Sequence, residues 1–158
     1  MSFEEEQRFN QWWLWLILIG LNLIPAFGIY QQVFKGQAFG NHPLSDTGLI
    51  VLQAFLLLFL WTFWRLRLKT AINEEFITFT FYPFANKTIP WTEVRSATLI
   101  NYGFVGGWGV RLSSKYGTVY NTSGQMGLLL ELDGGKKICI GTQKPEELGR
   151  LIEKRKEF

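Results

Sequence analysis

Two stretches of this chain carry no charged residue: WWLWLILIGLNLIPAFGIY at residues 12–30 and GLIVLQAFLLLFLWTFW at residues 48–64. At about 1.5 Å of rise per residue, helices of that length reach roughly 26 to 28 Å, close to the hydrocarbon thickness of a bilayer. A chain of 158 residues is too small to hide both runs in one core. They are therefore expected to be transmembrane helices rather than core helices of a soluble protein. The leader MSFEEEQRF is acidic where a signal peptide is basic, and no small-residue cleavage pattern follows the first run. The anchor is expected to stay in the mature protein.

The segment between the runs, QQVFKGQAFGNHPLSDT at residues 31–47, is polar and rich in glycine and proline, so it reads as a loop joining two antiparallel helices. It carries one lysine, whereas RLRLK directly after the second run places Arg65, Arg67 and Lys69 within five residues. Basic residues close to helix ends face the cytoplasm. Arg8, before the first helix, falls on the same side. Trp12, Trp13 and Trp15 open the first helix and Trp61 and Trp64 close the second, which in a hairpin gives one shared interfacial belt. Three parts follow: a cytoplasmic N-terminal segment at 1–11, a transmembrane hairpin at 12–64, and a cytoplasmic domain at 65–158. Asn22 and Gln53 lie at matching depth below that interface, roughly 15 to 17 Å by helical rise, and are expected to meet.

After the second run the apolar pattern shortens to alternation. FITFTFY at 76–82 puts Ile77, Phe79 and Phe81 on one face, the period of a half-buried strand. Segments 66–72, 87–91, 95–102, 108–114, 117–122, 127–133 and 136–141 continue in the same way, with DGG a hairpin turn between the last two. Seven or eight short strands at this spacing predict a barrel or sandwich. The chain closes on TQKPEELGRLIEKRKEF, where Pro145 suits a first helical position and Leu148, Leu151 and Ile152 line one helical face.

The run TIPWTEV followed by GGWGVRL, GLLLEL and GGKKICIGTQKPEEL resembles small bacterial proteins in which a membrane hairpin precedes a bacterial pleckstrin-homology domain. The resemblance covers residues 66 to 152. It implies an α+β membrane protein: a two-helix transmembrane hairpin, then a pleckstrin-homology-like antiparallel β-barrel of about seven strands capped by a C-terminal helix. It implies placement in the cell (inner) membrane, and no catalytic residue is carried over from it.

The glycines of VGGWGVRLSSKYGTVYNTSG at residues 105–124 do not match a dinucleotide fingerprint, and no Walker lysine follows them. They are expected to serve tight turns and bends. Trp108, Val110 and Leu112 share one strand face and Arg111 takes the other. Trp108 is expected in the core, with contact to a ligand or partner as the alternative; Arg111 is either an ordinary solvated arginine or an anion contact.

Chemistry has little material here. One cysteine, Cys139, permits no internal disulfide and reads as a packed strand residue, and one histidine, His42, lacks a partner for zinc or for a nucleophile. No catalytic residue, cofactor or metal is expected. Residues 65–158 hold 14 Lys and Arg against 9 Asp and Glu, a net +5. A domain so charged leans toward an anionic leaflet, with Arg65, Arg67 and Lys69 as its surface contacts. The expected function is a non-enzymatic, membrane-anchored interaction module whose partners are the bilayer, a protein or a second copy, and more weakly anionic lipid. The contrasting class is a subunit of a membrane enzyme or transport complex. Nucleic acid is not expected, since the basic residues are scattered.

Overall fold

The computed structural model describes residues 2–156. Two compact units emerge, one formed by residues 10–65 and the other by residues 1–9 together with 66–158.

The first unit is a helical hairpin. Helix α1 spans Trp12–Ile29 and runs on through a π-helical turn at Tyr30–Phe34; helix α2 spans Asp46–Arg65. Both are long and apolar enough to cross a membrane. Neither behaves as a core helix, because Phe55, Leu58 and Trp61 are all more than half exposed and α1 buries only Leu18, Asn22, Pro25 and Gly28. The connecting loop folds onto its own helix ends. The Gln32 amide donates to the Leu44 carbonyl and to Asp46 Oδ1, both at 2.7 Å. The Phe39 ring packs edge-on against Phe27 and lies where a side chain on Gly28 would stand. Ser45 Oγ accepts from the Gly48 amide at 3.1 Å, a serine cap for the first turn of α2.

The second unit contains two sheets. Strands β1 (Phe3–Arg8), β2 (Arg67–Ile72), β3 (Phe76–Tyr82) and β4 (Ala85–Pro90) form a four-stranded antiparallel sheet in that order. Strands β5 (Val94–Asn101), β6 (Gly109–Ser113), β7 (Gly117–Asn121), β8 (Met126–Leu132) and β9 (Lys137–Gly141) form the other, ordered β5-β8-β9-β7-β6. Helix α3 (Pro145–Lys156) packs against β5 and β1 and buries Leu148 and Ile152. The alternation of β3 holds as expected: Ile77, Phe79 and Phe81 are buried, and Phe79 meets Tyr120 of the facing sheet with ring centroids 4.9 Å apart.

Three expectations change. The strands do not close into a barrel; they remain two sheets with free edges. The second sheet is not wholly antiparallel, because β9 inserts between the antiparallel strands β7 and β8 and must run parallel to one of them, which is β7. Residues 3–8, set apart by their acidic composition, are the edge strand of the first sheet, with Arg8 opposite Arg67 and Phe3 opposite Ile72. The side chains of β1 alternate strictly between buried and exposed. Phe3 enters the core, while Glu5 and Gln7 bridge to the second sheet. The Gln7 amide donates to the Gly141 carbonyl at 2.7 Å and its oxygen accepts from the Thr122 hydroxyl at 3.2 Å. The Glu5 carboxylate accepts from the Thr142 hydroxyl at 2.7 Å and the Gln143 amide at 2.8 Å, just ahead of α3. Buried polar groups are tolerated where such partners exist, so β1 fastens the two sheets together.

Candidate functional site

Between β5 and β6 the chain bends through a glycine-rich loop. Gly103, Gly106, Gly107 and Gly109 all have positive φ, from 62° to 121°, a region that residues with a Cβ rarely enter. The expected turn role of these glycines is therefore what the backbone shows. Asn101 Oδ1 accepts from the Gly103 amide at 2.9 Å. Asn121, buried at the end of β7, holds both sides of the loop: its Oδ1 accepts from the Gly109 amide at 3.0 Å, and its Nδ2 donates to the Tyr102 hydroxyl at 3.3 Å. That hydroxyl donates in turn to the Gly124 carbonyl at 3.3 Å. Burial pushes the Tyr102 phenol above its ordinary range, so it stays protonated and remains a donor.

This loop lines a cleft of about 500 Å³. Phe104, Trp108 and Met126 supply its apolar surface, and Asn101, Asn121 and Gln125 supply amides. None of the residues lining it is ionisable. Such a lining accepts an apolar side chain or a peptide group more readily than a phosphate.

Trp108 is not in the core, contrary to the alternation that placed it there. It is half-buried at the cleft, and its companions Val110 and Leu112 are 43% and 88% exposed. Trp108 precedes β6, between Gly107 and Gly109 with their positive φ, and β6 itself is the outermost strand of its sheet, pairing with β7 alone, with Val110 and Leu112 left open. Arg111 curls back over the loop. Its Nη2 lies 3.0 Å from where a Cβ on Gly107 would stand, so the guanidinium sits beside a residue that lines the cleft. Trp108 and Arg111 are thus brought to one place, by the glycine-rich turn rather than by a shared strand face.

The predicted membrane-surface residues lie elsewhere. Arg67 and Lys69 are on the outward face of β2, where Glu6 of β1 stands among them. Its carboxylate is 3.0 Å from Lys69 Nζ, 3.8 Å from Arg67 Nη1 and 2.9 Å from Arg8 Nη2. The Lys69 and Arg8 hydrogen bonds hold the Glu6 acid below its usual range. Arg65 ends α2 with its guanidinium 5.7 Å from the Trp61 ring, a cation–π contact. Glu6 was not among the residues expected at this site. The signal for it was the alternation hidden in FEEEQR, masked because five polar residues follow one another.

Cys139 is fully buried, and burial pushes its thiol up to about 12, which leaves no nucleophilic thiolate near neutral pH. Among the described residues no three His, Cys, Asp or Glu side chains converge as metal ligands. No protein-family model matches the chain, and no curated protein matches it.

Proposed function

We propose that this protein is a non-enzymatic interaction module, anchored in the cell membrane by its helical hairpin, whose pleckstrin-homology-like domain stays at the cytoplasmic face and engages a protein segment. The observation that carries this reading is the unpaired edge of β6 beside an uncharged, aromatic-lined cleft. Sheet edges with neighbouring pockets bind extended peptides: the main chain gives affinity and the pocket gives selectivity.

Connectivity supports the topology. The hairpin is inserted between β1 and β2, and the chain leaves after Arg8 and returns before Arg67, which are paired opposite each other. An insertion that starts and ends at one point crosses a membrane an even number of times. Arg8, Arg65, Arg67 and Lys69 at that point favour the cytoplasmic side.

Lipid attraction is the lesser part. With β1 counted, the unit holds fourteen Lys and Arg against twelve Asp and Glu, a net +2 in place of the +5 read for residues 65–158 alone. Contact with an anionic leaflet is then weak, falls with salt over a Debye length of roughly 10 Å, and centres on Arg65, Arg67 and Lys69.

A photo-crosslinking residue at Leu112, with Glu153 on exposed α3 as control, tests the reading in native membranes. Recovery of one stoichiometric protein from position 112 alone is the expected result. Saturable, salt-resistant binding of a single phosphoinositide, lost in Arg111→Ala, would make the domain a lipid reader instead. Turnover of a metabolite by purified protein would make it an enzyme.

A further inference from the structure

We infer that β6 receives an acidic, extended peptide strand whose side chains alternate between apolar and carboxylate residues. This rests on the interaction-module reading and names the partner's chemistry.

Phe104 and Leu112 are the most exposed large apolar side chains among the described residues, at 82% and 88%. Phe104 is at the cleft and Leu112 is on β6. A strand laid against β6 brings its side chains opposite those of β6, face for face. Val110 and Leu112 project to one face and Arg111 to the other, so apolar and acidic residues of the incoming strand should alternate with period two.

The charge of the surroundings selects the sign. Arg111 lies on β6 and Lys115 in the β6–β7 turn, Lys87 of β4 reaches the Tyr120 ring of the neighbouring β7, and no Asp or Glu lies between residues 76 and 92 or between 96 and 130. Among the described residues, no carboxylate pairs with any of the three cations. Lys87 and Lys115 rest instead over the rings of Tyr120 and Tyr116. A second copy of the chain fits this edge poorly. Antiparallel pairing of β6 with itself about its centre sets Arg111 opposite Arg111, a like-charge pair that destabilises a sheet. A lipid surface would use the cations but leave the open ladder and the uncharged cleft without a role.

The test uses the full chain in nanodiscs of neutral phosphatidylcholine. Fluorescence anisotropy compares a nine-residue peptide alternating valine and glutamate with its valine–lysine counterpart. In the expected result only the glutamate peptide binds. Arg111→Glu then weakens it roughly tenfold and confers binding of the lysine peptide. That gain shows that the variant still folds. Methylating backbone nitrogens of only the valines, or only the glutamates, blocks one edge of the peptide at a time, and one of the two modified peptides should lose binding while the other keeps it. Equal binding of both charge types, no binding, loss with both methylated peptides, or dimerisation through β6 overturns the inference. Those outcomes leave the interaction-module reading to the Leu112 crosslink, which fails independently if only lipid is captured.

Discussion

The Gln53 side-chain amide of α2 donates to Asn22 Oδ1 of α1 at 3.2 Å. Asn22 Nδ2 in turn donates to the Leu18 carbonyl at 2.9 Å and, more weakly, to the Leu56 carbonyl at 3.4 Å. The pair expected from equal depth does form, and it joins the two helices between their ends. A double-mutant cycle of Asn22→Ala and Gln53→Ala, read by unfolding in micelles, should give a coupling of about 0.6 kcal/mol. Additive effects would mean that each side chain is satisfied by its own helix.

Strand β1 should decide whether the domain folds. Gln7→Ala removes the buried amide that bonds the Gly141 carbonyl and the Thr122 hydroxyl, so a loss of roughly 1 to 3 kcal/mol is expected. A fragment of residues 70–156 lacks β1 and half of β2 and should not fold by itself. Joining Phe9 to Leu66 through Asn-Gly turns the antiparallel β1–β2 pair into a two-residue hairpin. That chain should show a cooperative melt without detergent; an equally cooperative melt from the 70–156 fragment would show that β1 is dispensable.

The Glu6 cluster predicts an acid dependence. Its pKa in the folded protein lies below the ordinary 4.5, so its ion pairs stabilise the fold above that pH and are lost as pH falls through the lowered value. Exposed pairs of this kind contribute no more than about 1 kcal/mol. The melting temperature of Glu6→Gln should fall below that of the parent at pH 7 in low salt, and the gap should narrow as the pH is taken down below 4.5. A gap unchanged by acid or salt would point to packing rather than charge.

Around Cys139 the fold tolerates little added volume. A Cβ on Gly127 would stand 2.8 Å from the Ile140 carbonyl oxygen, 2.9 Å from the Tyr102 ring and 3.0 Å from Cys139 Sγ. Gly127→Ala is expected to destabilise by roughly 1 to 3 kcal/mol. The buried thiol itself should resist a disulfide reagent at pH 8 in the native protein and react fully in denaturant. Rapid labelling of native protein would contradict its burial.

What the sequence determined by itself was local. Two uncharged runs specified two long apolar helices, and period-two alternation located the eight strands that follow them, because burial on one face writes itself into neighbouring residues. The glycines at 103–109 were legible as turns for a similar reason: each positive φ is a property of one residue. The tertiary structure decided everything that depends on distant pairing. Strand β1 joins β2 across the whole hairpin, and its charge-rich sequence gave little local sign of strand. The parallel β7–β9 pair follows from the order in which strands enter the sheet, which no window of residues records. Trp108 shows the limit most directly: its spacing from Val110 and Leu112 suggested one strand face, but Trp108 lies ahead of β6 among glycines of positive φ, and Val110 and Leu112 are left exposed on an edge strand.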